Sequence, residues 1–454
     1  MVNWQSFVYR LLVFSLLAYA LILCLSLYKK GDLPIDREQL QEYRRRMQSG
    51  VQNLYLNNKP QQAAQIEGLY SSGDLHSYSY FYRNYTKLLK SKRAAVGLLE
   101  SYEKDGLLQW TSWFQGTLAG ARAKWSGQGL VLLTSTYDLR RTVLQLKTLT
   151  FLKCPLDIKV YYTSESAPIR EELDMLKQET GYEAEELSLM LPPRLRELVT
   201  VKVAKAFAAF YSPFSQVIVA DSEAIFVADP RKLFEDLKDG IGAVFSLDRE
   251  LFPGNNGLAK YVVEVLPQPF SNPISLGAFI QQKSSYQQDS TLVTIDKSVA
   301  WLGLIAAGNL VLPPLNKLFR AKLEGEKEAF WLGFEQAQVP FKWEGHKPVS
   351  AGHLAAFEQG RTAVCGGHSA HFSSTGAEVL WMSGGFDHNV GPGGSPQADF
   401  FKNIVDPKRA GKWSPNLCQD GDAADFTDSV KHALQFMQEN YSADYMIKYY
   451  ERPQ

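Results

Sequence analysis

Hydrophobic and polar positions divide this chain into stretches of different character. Leu11–Tyr28 (LLVFSLLAYALILCLSLY) is an unbroken apolar run with no charge, proline or glycine. At 1.5 Å rise per residue it comes close to crossing a hydrocarbon core of about 30 Å. Arg10 precedes the run, and Lys29 and Lys30 close its far end. The pattern predicts a single transmembrane helix. The run is longer than a usual signal-peptide core, and the following Tyr-Lys-Lys-Gly is no small-x-small cleavage site, so an uncleaved anchor is expected. Flanking charge does not set its orientation. Residues 29–127 are polar with short apolar clusters. They predict a stem with accessory helices, such as Asp36–Met47 and Leu88–Glu103.

From Gly129 the periodicities alternate. Leu130–Thr134 reads as a strand and Asp138–Phe151 as a helix with Leu139, Val143, Leu146 and Thr150 on one face. A strand follows at Ile158–Tyr162, then a helix, Glu171–Gly181, ending in glycine. Val199–Phe210 has helical spacing, Val217–Ala220 is a short strand, Pro230–Leu237 a short helix and Gly242–Ser246 a strand. Further on come a strand at Leu292–Ile295 and helices at Ser298–Asn309, Glu324–Gln338 and Ala423–Glu439. The Gly-, His- and Ser-rich stretch 345–394 reads as loops. Strands alternating with helices predict an α/β fold with a mainly parallel sheet flanked by helices. Ligands of such sheets bind at the carboxyl ends of the strands. The expected division is a tail over 1–10, an anchor over 11–28, a stem over 29–127, a catalytic domain over 128–400 and a C-terminal extension over 401–454.

Charge and cysteine content narrow the function. With 48 basic and 48 acidic residues among 454, nothing is built to hold nucleic acid electrostatically. The cysteines, Cys24, Cys154, Cys365 and Cys418, form no CxxC unit, which argues against structural zinc. In an oxidising lumen two of them would pair. Cys365 with Cys418 is the expected pair, because both follow the presumed nucleotide-binding half. Asn84-Tyr85-Thr86 and Asn440-Tyr441-Ser442 are acceptor patterns for N-glycosylation, if luminal.

The sharpest chemical signal is Val217-Ile218-Val219-Ala220-Asp221-Ser222-Glu223, an apolar strand ending in two acids one residue apart. The carboxylates of Asp221 and Glu223 can converge on one hard divalent cation, Mg²⁺ or Mn²⁺. Such an ion would hold a donor diphosphate and neutralise charge on the departing nucleotide. Two acids capping a strand and opening a turn are the plain alternative. Lys202 and Lys205, in the preceding helix, are candidates to reach phosphate or a donor hydroxyl. Asp289, before the Leu292 strand, and Glu326 and Glu328, before an aromatic helix, are candidates to touch the sugars. Of the late histidines His346, His353, His368, His371 and His388, His371 is the expected third metal ligand, with His368 and His353 behind it.

Five segments in order carry a resemblance that runs from Gly129 to Asn389. They are VLLTSTYDLRRTVLQLKTL, SPFSQVIVADSEAIFVADPRKLF, DSTLVTIDKS, GEKEAFWLGFEQAQVPF and VLWMSGG. Together they resemble the fungal alpha-mannosyltransferase family that includes the alpha-1,3-mannosyltransferases of the Golgi. The resemblance implies a GT-A-like fold and a type II Golgi membrane protein with a luminal body. It also implies Mn²⁺, GDP-mannose as donor, a mannose-terminated glycan as acceptor, and alpha linkage with retention. The acid-x-acid motif falls on Asp221-Ser222-Glu223, where the family more often ends in aspartate or asparagine. Its Gly-Asp-Lys-Asp-like segment falls on Gly325-Glu326-Lys327-Glu328, with both acids glutamate. Its glutamine-bearing loop falls on Asp289-Ser290-Thr291, which lacks the glutamine. These departures point to a divergent donor or acceptor, so UDP-galactose and UDP-glucose stay open as donors. A non-catalytic luminal scaffold is the alternative from another class.

Overall fold

A computed structural model describes residues 118–251, 270–271, 273, 277–281, 283–312, 326–356, 362–384, 389–390, 396–397, 402–414 and 417–440. The expected anchor, the stem up to residue 117, Asn84, Gly325 and His388 lie outside them. Among the described residues no helix is long and apolar enough to cross a membrane.

A short helix α1 (Leu118–Arg122) leads into β1 (Gln128–Leu133), whose Leu130 to Leu133 are all buried, as a central strand covered on both faces requires. Helix α2 (Leu139–Phe151) follows and buries Leu139, Val143, Leu146 and Leu149 against that strand's layer. Next come β2 (Asp157–Tyr162), α3 (Arg170–Thr180) and β3 (Ala184–Glu186). Helix α3 stops where Gly181 takes φ 79°, a left-handed cap that glycine adopts without penalty. The expected helix over Val199–Phe210 is split into a 3₁₀ turn, Val201–Val203, and α4 (Lys205–Tyr211). Strands β4 (Gln216–Asp221), β5 (Ile225–Phe226) and β6 (Ala243–Leu247) follow, with the 3₁₀ segment Pro230–Asp236 between the last two. After them come β7 (Gln288–Asp296), α5 (Lys297–Val311), α6 (Ala329–Ala337) and β8 (Phe341–Trp343).

The first sheet runs β3-β2-β1-β4-β7-β6-β8. Its pairings are parallel except on the two sides of β7, which runs antiparallel to β4 and to β6. The sheet is therefore mainly parallel, as expected, with one reversed strand that local periodicity does not reveal. The reversal brings the start of β7 to the same edge as the carboxyl ends of β1, β4, β6 and β8.

The stretch 345–394 corrects an expectation. Instead of loops it supplies β9 (Val349–Ala356), β10 (Thr362–Phe372), β11 (Val379–Ser383) and β12 (Asn389–Val390), the last forming a hairpin with β13 (Pro396–Gln397) just beyond it. With β14 (Asn403–Val405), β15 (Cys418–Asp420) and β16 (Ala423–Asp425), they form a second, antiparallel sheet ordered β16-β14-β9-β10-β11-β5, with β15 against β10; the hairpin pairs only with itself. Glycine hid these strands from a composition-based reading. A Cβ on Gly352 would stand 2.0 Å from the Cys365 carbonyl oxygen, so β9 and β10 approach there only because glycine is present. The expected C-terminal extension is built into this sheet through β14, which pairs with β9. The residues expected to open its helix, Ala423–Asp425, are instead a strand. Helix α7 (Asp428–Asn440) then packs Val430, Ala433 and Met437 into the second core. Cys365 and Cys418 face each other across β10 and β15 and form the expected disulfide.

Candidate functional site

The strand-end edge of the first sheet gathers most of the polar candidates. Asp221 is the last residue of β4, in register with Leu133 at the end of β1. From α4, Lys205 reaches it: Nζ lies 2.6 Å from Asp221 Oδ2 and 2.8 Å from Glu326 Oε1. Lys205 and Glu326 are almost fully buried, whereas a third of the Asp221 side chain (33%) meets solvent. Glu326 Oε1 therefore meets the Lys205 ammonium as a buried ion pair. Burial alone would lower the Lys205 pKa, but Asp221 and Glu326 outweigh it and keep the ammonium charged. Burial also pushes Asp221 up to about 7, with Lys205 opposing and Glu326 and Glu223 adding to the rise. Glu326 moves up for the same first reason, against the pull of Lys205. Two acids share one ammonium here, so the group carries an excess negative charge that a cation would relieve. Lys202 is not part of it and stands exposed on its 3₁₀ turn.

The chain turns over at Ser222, which is buried, and Glu223 follows with 40% of its side chain exposed. Arg141 of α2 lies 3.3 Å from Glu223 and 3.0 Å from Asp138. Asp138 also accepts a 2.5 Å hydrogen bond from Ser135 Oγ, so it ties down the β1–α2 loop rather than capping the helix.

Asp289 lies near the start of β7, in register with Ser246 of β6. Its Oδ1 accepts from the Thr291 amide at 3.0 Å, and its Oδ2 lies 3.3 Å from His371 Nε2. The other ring nitrogen, Nδ1, is 2.8 Å from Glu344 Oε1, and the imidazole lies flat on Trp381, with centroids 4.0 Å apart. Burial would lower the His371 pKa, but Glu344 and Asp289 hold it up to about 10. Burial would likewise raise Asp289, but His371 holds its carboxyl well below the usual range.

His371 is not brought to Asp221 and Glu223 as a third ligand in this structure; its two ring nitrogens face Glu344 and Asp289 instead. Of its alternates, His353 is exposed and His368 buried on β10. Among the described residues no cluster of three His, Cys, Asp or Glu side chains is arranged to hold an ion. Asp221 and Glu223 still fit a hard cation as two oxygen donors, one in a group with surplus negative charge and one exposed.

Glu328 also departs from expectation. It is buried; Oε1 accepts from the Gln287 amide at 2.9 Å, and Oε2 accepts from the Trp331 indole. Burial raises its pKa to about 7, against those donors. It braces the chain entering β7 instead of facing a ligand. Its neighbour Lys327 reaches Asp248 at 2.6 Å and lies over Tyr286, closing the same edge. The residues that sequence reading missed are Arg141, Glu344 and Trp381. Local sequence gives them no chemical pattern, because Arg141 acts on Glu223, and Glu344 and Trp381 on His371, across the fold, although Arg141 and Trp381 do lie in segments carrying the resemblance.

A family model described as "Mannosyltransferase putative" matches residues 255–373. The chain is 24% identical over 298 residues to "Putative alpha-1,3-mannosyltransferase MNN14" of Candida albicans, covering 58% of this chain and 43% of that protein. It is 27% identical over 118 residues to "Alpha-1,3-mannosyltransferase MNN1" of Saccharomyces cerevisiae, covering 24% of this chain and 15% of that one. The chain thus spans less than half the length of these relatives. Among solved structures it is similar to the mannosyltransferase Ktr4p from S. cerevisiae, with TM-score 0.33, 12% identity, and 49% of this chain and 69% of that chain covered. It is likewise similar to core-mannan synthase A from Aspergillus fumigatus in its Mn/GDP form, with TM-score 0.33, 12% identity, and 48% and 72% covered.

Proposed function

We propose that the chain, which is similar to fungal mannosyltransferases, transfers mannose from GDP-mannose to a mannose-terminated glycan. The observation that carries this reading is the Lys205–Asp221–Glu326 group beside Glu223 at the strand-end edge. Asp221 and Glu223 would hold Mn²⁺, which when bound supplies positive charge for a donor diphosphate. The chain's own residues do the rest. Lys205 holds the Asp221 carboxylate by one oxygen, leaving the second for a ligand. Asp289, kept ionised by His371, supplies negative charge at the edge where a sugar cation develops. Neither Asp289 nor Glu326 is placed as a free nucleophile, which favours same-face attack assisted by the leaving phosphate and retention of configuration. On the sequence resemblance and the apolar Leu11–Tyr28 run, the proposal extends to a Golgi address, a GT-A-like domain over 128–400 and a luminal, type II body behind a single span. A donor other than GDP-mannose, UDP-galactose or UDP-glucose, is the second reading, supported by glutamate at 223, 326 and 328.

The test is the purified full chain with a small mannoside acceptor, offered GDP-mannose, UDP-galactose or UDP-glucose, with products read by NMR. An alpha-linked mannoside from GDP-mannose is expected. A beta-linked product overturns the mechanism. Transfer from a UDP-sugar alone moves the assignment to the second reading, and no transfer from any donor moves it to a scaffold.

A further inference from the structure

The acid turn is held from behind by one buried amide. Gln145 of α2 is 6% exposed, and its Nε2 donates to the carbonyl oxygen of Asp221 at 3.1 Å and to that of Ala224. These carbonyls bracket the Asp221-Ser222-Glu223 turn. The Asp221 carbonyl also closes the turn itself, by accepting from the Ala224 amide at 3.1 Å. Four residues earlier on the same helix, Arg141 reaches the Glu223 carboxylate at 3.3 Å. One face of α2 therefore touches both the backbone and the side chain of the turn.

The turn needs such a hold. It is the point where the chain leaves the first sheet at β4 and enters the second at β5, which pairs with β11. Neither sheet's ladder alone sets the path of Ser222 and Glu223. Gln145 Oε1, by contrast, has no hydrogen-bond partner among the described residues. Packing alone would favour an apolar side chain of the same shape, because a buried orphan acceptor costs stability. What the amide does that leucine cannot is donate two hydrogen bonds to the turn.

We propose that Gln145 is a positioning residue that fixes the acid turn in the geometry at which Asp221 and Glu223 receive a divalent cation. The inference rests on the proposed function, in which those two carboxylates take Mn²⁺. Residues that orient metal ligands from outside their shell typically change affinity by about 10- to 100-fold when removed.

Mn²⁺ binding to the purified full chain, read by electron paramagnetic resonance with GDP present, tests it without needing turnover. The variants are Gln145→Leu, which keeps the volume; Gln145→His, which keeps an N–H donor; and Thr148→Val, which removes a buried hydroxyl bonded within α2. The expected result is a Mn²⁺ dissociation constant raised about tenfold in Q145L, partly restored in Q145H and unchanged in T148V. Melting temperatures measured alongside separate positioning from folding. A Q145L protein that loses melting temperature like T148V but binds Mn²⁺ like the parent overturns the proposal and leaves Gln145 structural. If the parent binds no Mn²⁺ at all, the metal reading falls and takes the proposal with it. If the parent binds and Q145L matches it, only the proposal falls.

Discussion

His371 Nε2 stands 3.3 Å from Asp289 Oδ2, so a histidine of the antiparallel sheet grips an aspartate of the mainly parallel one. Glu344 holds the opposite ring nitrogen at 2.8 Å. The bridge is a carboxylate–imidazolium–carboxylate chain, buried between the two layers.

Its charge predicts a pH dependence. The folded pKa of His371 is about 10, above the ordinary histidine value of about 6.5. A raised pKa contributes stability that is complete below the unfolded value and is lost as pH rises through the folded one. The urea midpoint should therefore fall between pH 7 and pH 10 more steeply in the parent than in His371→Gln. Parallel curves would show that His371 is not charged in the folded protein.

Lys205 contacts both Asp221 and Glu326 with one ammonium. Removing it in Lys205→Met leaves two acids facing each other in a mostly buried group. Breaking a buried pair by deleting one partner costs about 3–5 kcal/mol. The double variant Lys205→Met with Glu326→Gln should recover a large part of that, because it removes the uncompensated charge. Chemical denaturation of the two variants checks this, and equal losses would argue against ionic coupling.

Glu328→Gln should act on stability. The carboxylate accepts from the Gln287 amide and the Trp331 indole, and an amide side chain would turn an NH₂ toward one of them. The expected loss is about 1–3 kcal/mol, with turnover per folded molecule close to that of the parent. A large fall in turnover at unchanged melting temperature would return Glu328 to the reacting centre.

Reducing the Cys365–Cys418 disulfide opens a loop of 53 residues. Chain entropy places the loss near about 4 kcal/mol. The Cys365→Ser, Cys418→Ser double variant should melt lower than the oxidised parent and match the reduced parent. No difference between oxidised and reduced protein would place the bridge's contribution in the native contacts of β10 instead.

Much of the first layer was legible without coordinates. β1 and β4 are unbroken apolar runs because both of their faces are covered, and α2 shows its Leu139, Val143 and Leu146 stripe where it packs on the first core. The acid pair at the end of β4 was visible for the same reason: the apolar run stops where the strand reaches the edge. Cys365 and Cys418 are the expected disulfide partners, although nothing in their spacing shows that they lie side by side on neighbouring strands.

The second sheet was hidden because Gly352 and Gly366 serve a close approach between backbones, which a composition-based reading takes for loop. The reversal of β7 was hidden too, since strand direction depends on the path of the connecting chain and not on side-chain alternation. Sequence alone therefore determined which residues carry charge, where the apolar runs begin and end, and that two acids close β4. Only the tertiary structure decided what each charge does. Lys205 serves Asp221 while Lys202 stands in solvent, Glu326 joins the acid turn while Glu328 braces β7, and His371 is clamped between two carboxylates. Those outcomes differ because burial and partners set a side chain's protonation and reach, and both come from residues far apart along the chain.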